Sequence, residues 1–232
     1  MSTDAATAYR LLRDFGVKKG DWLIQSDAGS AVGVAVIQMA RDMGVKTINV
    51  IDSQSADQET LLRLLTNLGG DINCTELYVH SHGMNHMLQG QNVALAINNL
   101  GGDVATNMGR VLSDTGVMVS YEASADQKAF VFPAERKPKL AAFSIADWHG
   151  KCSALDRATM VSDIATAVRE ERLTQFFQEH DFDDFEYALQ QAGETNIPAR
   201  KVVLRMDHPD RMAEHDALDP TTAYTAFETT VR

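Results

Sequence analysis

The stretch from Asp21 to Asp52, DWLIQSDAGSAVGVAVIQMARDMGVKTINVID, decides the fold. Leu23 and Ile24 form a short apolar run that Ser26, Asp27 and Gly29 interrupt. Val32, Val36, Met39, Ala40 and Met43 then recur at helical spacing. Gly44 stops the helix, and Thr47–Ile51 resumes as a β-rich run. The pattern is a βαβ unit whose turn stands where a helix N-terminus can receive the pyrophosphate of a dinucleotide. The turn at 26–33 lacks a full G-x-G-x-x-G, and a tight βα turn that only packs favours glycine in the same way. The residues therefore predict the geometry and leave its occupancy open.

Working outward, Thr7–Phe15 reads as an opening helix with an apolar stripe at Ala8, Leu11, Leu12 and Phe15. Downstream, Asp57–Leu68 is a leucine-rich amphipathic helix closed by Gly69-Gly70, and Ile72–Cys74 is a short strand. Residues 76–91 show no clear period. Val93–Ile97 is a buried-type strand, Asn98–Gly102 turns, and Asp103–Leu112 is a helix with Asp103 as its expected N-cap. Gly116–Tyr121, Phe130–Phe132 and Leu140–Ile145 read as strands, with the basic loop PAERKPK between the last two. Ala154–Arg172 and Asp183–Gln191 read as helices and Lys201–Leu204 as a final strand. Alternation of this kind predicts an α/β class: a doubly wound, mostly parallel Rossmann sheet with helices on both faces. Residues 1–206 are expected as one domain, followed by an acidic C-terminal tail at 207–232.

Composition narrows the function classes. The 232 residues carry a net charge of −11, which disfavours nucleic acid and anionic membrane surfaces as partners. No apolar run is long enough to span a bilayer, and the N-terminus has neither a secretory signal nor a clear transit peptide. A soluble chain is expected. Two cysteines, Cys74 and Cys152, build no disulfide framework and are read as free thiols. His80, His82 and His86 form H-x-H-x3-H, yet no nearby carboxylate or cysteine completes a zinc set, so no metal is expected. Asp181, Asp183, Asp184 and Glu186 suit the start of a helix. No G-x-S-x-G elbow points to a hydrolase.

IQSDAGSAVGVAVIQMARDMGVKTINVI is similar to the cofactor segment of mitochondrial trans-2-enoyl-thioester reductases, in the zinc-free, quinone-reductase-like branch of the medium-chain dehydrogenase/reductase superfamily. The resemblance continues through TAYRLL, ALAINNLGG, GVMVSYEA, FSIADW and ARKVVLRM, in order, over the first 206 residues. It implies reduction of an enoyl thioester of fatty-acid synthesis with NADPH. It also implies a separate catalytic domain carrying the proton-donating tyrosine, which these residues do not include; no catalytic residue is assigned here. The family's cofactor contacts fall on Ser30, Ala31, Val32, Gly33, Asp52, Tyr121, Phe143, Ile145 and Lys201, with Asp4 where the family has Asn. Ala31 stands where the family usually has Gly. Asp52 stands where a basic residue receives the 2′-phosphate of NADPH, and an Asp suits a ribose diol instead. NADP and NAD both remain candidate cofactors. Glu122-Ala123 replaces a Gly-Gly pair. Phe143 and Trp148 either line a pocket or simply pack. The resemblance further implies a mitochondrial location and a homodimer through the Rossmann edge strand, near residues 128–133 and 139–145. Two readings stand: a cofactor-binding part of a reductase, or a catalytically inactive structural subunit of a larger assembly built on this fold.

Overall fold

The computed structural model describes residues 3–54, 57–79, 81–121, 129–132, 138–193 and 200–206. Its elements are α1 (Thr3–Asp14), β1 (Trp22–Gln25), α2 (Ala31–Met43), β2 (Lys46–Ile51), α3 (Gln58–Asn67), β3 (Ile72–Thr75), α4 (His82–Met87), β4 (Val93–Asn98), α5 (Gly102–Val111), β5 (Val117–Tyr121), β6 (Lys139–Phe143), α6 (Ile145–Lys151), α7 (Ala154–Arg169), β7 (Phe176–Asp181), α8 (Phe185–Gly193) and β8 (Arg200–Arg205). The chain forms two compact units. The first runs to Phe176 and includes Lys201; the second holds the rest of β7, α8 and most of β8.

The first unit is built on a six-stranded sheet in the order β3-β2-β1-β4-β5-β6. Every pair is parallel. Consecutive residues of a strand face opposite sides, and here both sides are apolar. Leu23, Leu95, Ile97, Val119 and Tyr121 enter one core with residues of α1, α2 and α7. Ile24, Ile48, Ala96 and Met118 enter a second core with residues of α4 and α5. Helices on both faces of a parallel sheet in this order make the doubly wound Rossmann arrangement. β1 is buried along its whole length, as a strand covered on both faces must be.

Several sequence boundaries are corrected. Phe130–Phe132 is not a strand; the two rings meet edge-on at 5.5 Å. Phe132 also lies over Gly109, where a Cβ would fall 2.2 Å from the ring. The run 140–145 is not all strand: Ser144 leaves the sheet and caps α6, its hydroxyl accepting the Asp147 N–H at 3.2 Å. The N-cap of α5 is Gly101 rather than Asp103. The long helix stops at Arg169, and Glu171 turns through φ +55°. α4, α6 and β7 were not expected at all.

The second unit pairs β7 with β8 in a two-stranded sheet beside α8. Phe177, Phe182, Phe185, Tyr187 and Leu189 are exposed there. The acidic tail, Glu122, Ala123 and His80 lie outside the described residues. Among the described residues no helix is long and apolar enough to cross a membrane.

Candidate functional site

In a sheet of this order the strand sequence reverses between β1 and β4, and ligands bind in the crevice beyond the carboxyl ends of the strands there. The segment leaving β1 is fastened to both neighbours. Ser26 N–H donates to Ile97 O on β4 at 3.0 Å, and Ala28 N–H donates to Val50 O on β2 at 3.0 Å. Ser26 Oγ accepts the Asn99 N–H at 2.9 Å, and the Asn99 amide donates to Asp27 Oδ2 at 3.0 Å. Asp27 takes φ +54°, a left-handed conformation that Asp tolerates better than most residues. The loops after β1 and β4 are thereby clamped together at the switch point.

Ser30 caps α2. Its Oγ accepts the Gly33 N–H at 3.1 Å and its carbonyl accepts the Val34 N–H at 2.9 Å. The Ala31 and Val32 N–H groups, preceding any intrahelical acceptor, have no bonded acceptor among the described residues. They carry the positive end of the helix dipole. Gly33 allows the close approach: a Cβ there would sit 2.6 Å from Ala28 O and 2.7 Å from its Cα. At Gly29 an added Cβ would fall 2.9 Å from a Leu61 methyl. The four predicted turn residues, Ser30, Ala31, Val32 and Gly33, thus form one tight first turn.

That turn is also held from below by an amide ladder. Gln25, Asn49 and Asn73 stand opposite one another on β1, β2 and β3. The Gln25 side chain donates to Gly33 O at 3.0 Å and to Asn49 Oδ1 at 2.8 Å. Asn49 donates to Thr47 Oγ1 at 2.9 Å and to Asn73 Oδ1 at 2.8 Å. Asn73 donates to Thr66 Oγ1 at 3.0 Å and to Gly70 O at 3.2 Å. Every amide hydrogen of the three side chains is used, and the bonds between them run from β1 to β2 to β3. Another buried amide, Asn98, ties β4 to β5 through Ser120 Oγ at 2.9 Å and accepts the Gly101 N–H at 2.9 Å. The sequence reading missed these residues. Amides and hydroxyls at the ends of otherwise apolar strands were the available signal.

The other predicted contacts divide. Asp52 is exposed at the end of β2, its Oδ1 accepting the Gln54 N–H at 2.8 Å. Next to it, the Glu76 carboxylate accepts the Ser53 N–H at 2.7 Å and also the Ser53 hydroxyl. Tyr121 ends β5, only 2% exposed, opposite Phe143 at the end of β6. Phe143 packs edge-on against Phe15 at 6.2 Å, and Ile145 opens α6 against the core. Trp148 lies under the Arg10 guanidinium at 4.6 Å. Asp52 and Phe143 are four strand spacings apart, about 19 Å. Lys201 lies outside the six-stranded sheet, on β8, where its ammonium pairs with Asp4 of α1. The Thr7 hydroxyl, one turn beyond Asp4, is buried with no hydrogen-bond partner among the described residues.

Other features stay apart from this cleft. A cavity of about 280 Å³ lies among Tyr9, Arg13, Met39, Asp42, Asp163 and Arg172, toward the far end of α2. Cys74 and Cys152 are both free. No three His, Cys, Asp or Glu side chains among the described residues are grouped as a metal site.

Comparison with known proteins agrees with this geometry. No family model matches the sequence. The mitochondrial enoyl-[acyl-carrier-protein] reductase of Dictyostelium discoideum is 32% identical over 212 residues, 88% of this chain and 59% of the relative. The Xenopus tropicalis protein of the same name is 33% identical over 218 residues, 89% of this chain and 61% of the relative. The chain thus spans about 60% of the length of these relatives. Among solved structures, the mitochondrial 2-enoyl thioester reductase Etr1p/Etr2p heterodimer from Candida tropicalis superposes with a TM-score of 0.70 at 22% identity, covering 82% of this chain and 57% of that one. The Etr1p complex with NADP and crotonyl-CoA gives 0.71 at 22% identity, with the same coverage. By sequence and by fold, the chain resembles the enoyl-thioester reductases, and the part of them it resembles is their Rossmann half.

Proposed function

We propose that this chain is the dinucleotide-holding part of an enoyl-thioester reductase. The carrying observation is the turn from Gln25 to Gly33. It is clamped to β2, β4 and the amide ladder, and it presents two unbonded amides at a helix N-terminus on the switch point. The residues fit a pyrophosphate: Ser30 and Gly33 set the turn, and Ala31 and Val32 N–H donate to the phosphate oxygens. Phe143 at the end of β6 and Ile145 at the start of α6 offer apolar surface to a nicotinamide ring, with Tyr121 buried opposite Phe143. The cofactor, when bound, supplies hydride to Cβ of an enoyl thioester. The proton for Cα comes from a residue outside those named here. A mitochondrial location, as in the relatives' names, and pairing through the exposed edge of β6 belong to the same proposal.

One observation favours the alternative, a structural subunit: Ala31 adds a methyl group where the phosphate must come closest. Calorimetric or fluorescence titration of the chain with NADH and NADPH separates the two. The reductase reading expects saturable binding of at least one dinucleotide in the micromolar range. Absence of binding up to millimolar concentration leaves the structural reading.

A further inference from the structure

We infer that the cleft selects NADH over NADPH, and that Glu76 is the specificity residue acting beside Asp52. The inference rests on the dinucleotide reading above. The end of β2 is where a Rossmann cleft meets the adenosine ribose; an acidic side chain there bonds the 2′-hydroxyl, and a 2′-phosphate needs an arginine or its equivalent. Here two carboxylates occupy the position. They also take the backbone donors that a phosphate would use, Glu76 binding Ser53 N–H at 2.7 Å and Asp52 binding Gln54 N–H at 2.8 Å. Glu76 holds the Ser53 hydroxyl as well, and the Gln58 side chain closes the loop onto Ser53 O. Glu76 comes from the turn after β3, so the device spans two strand ends and could not be read from Asp52 alone. The segments DSQSADQ (52–58) and DINCTELYV (71–79) contain no Lys or Arg. A 2′-phosphate would bring close to two negative charges toward two carboxylates, with the Ser53 and Gln54 amides already bonded. A ribose diol instead donates to Asp52. A solved neighbour of this fold is a complex with NADP and crotonyl-CoA.

The test is titration of the full chain with NADH and NADPH at low and high salt, and again with Glu76→Gln and Asp52→Asn. NADH is expected to bind more tightly by about tenfold or more, the scale of a partly screened charge repulsion. High salt should narrow the ratio by strengthening NADPH relative to NADH. Glu76→Gln keeps an acceptor for Ser53 and should narrow the ratio through NADPH alone, whereas Asp52→Asn should also weaken NADH. The salt arm uses the unaltered chain and does not depend on how the variants fold. NADPH binding as tightly as NADH overturns the inference and leaves the dinucleotide reading intact. Failure of both nucleotides to bind overturns the dinucleotide reading and this inference with it.

Discussion

At the scale of single residues, Ala31 and Gly33 stand two positions apart and carry opposite constraints. Gly33 has no room for a methyl group because Ala28 O lies within 2.6 Å of where it would go. Ala31 has the methyl group, at the first residue of α2. Replacing Ala31 by Gly should strengthen dinucleotide binding, since the backbone can then approach phosphate more closely. It should cost no more than about 0.5–1 kcal/mol of helix stability, measured by urea unfolding beside the titration. Cys74 sits within a core of Ile48, Val50 and Val79, and burial, with Glu76 adding to it, pushes its thiol up to about 11. The unfolded thiol ionises near its ordinary value of 9.0. The folded pKa is the higher, so the contribution is fully present below pH 9 and is lost as pH rises through about 11. Cys74→Val should flatten the alkaline fall in the denaturation midpoint between those values while leaving the midpoint at pH 7 nearly unchanged. A turn at 26–33 was legible from the Ser, Asp and Gly that break the apolar pattern, whereas the positions 30–33 came from the resemblance and the Ser30 cap came from the structure. Lys201 was named as a contact position only through the resemblance; its ion pair with Asp4 joins residues far apart in the chain, and no local pattern encodes it.

At the scale of elements, the ladder Gln25–Asn49–Asn73 explains how three polar side chains lie inside an apolar sheet. All their donors are bonded, so the network is stable as a whole and costly in parts. Asn49→Leu should cost about 2–3 kcal/mol by leaving buried groups on both sides without partners. Replacing all three by aliphatic residues should cost less than three such losses. Urea midpoints of the single and triple variants check this. A triple variant as damaged as the sum would mean that the amides act independently. Strands β1 to β5 and helices α1, α2, α3 and α5 were readable because burial gives apolar runs and the helices keep their stripe. β7 was not readable. FFQEHD alternates half-buried and exposed positions with polar residues on both faces, so it carries no apolar period. The β6–α6 boundary was missed because Leu140–Ile145 stays apolar across it. Only the Ser144 cap marks the change of backbone direction.

At the scale of the molecule, β6 closes the sheet as an edge strand, with Leu140 60% exposed. An exposed edge with apolar side chains is a template for pairing. Light scattering should find twice the monomer mass, and Leu140→Lys should shift the population toward monomer without lowering the unfolding midpoint. A monomer at all concentrations would place the dimer contact elsewhere or remove it. The central claim concerns the turn, and amide chemical shifts during titration with NADH test it most directly. The account predicts saturable shifts at Ala31, Val32 and Gly33, followed by the amides after β4 and β5, with a micromolar dissociation constant. Unmoved resonances at these three residues up to millimolar NADH and NADPH would contradict it.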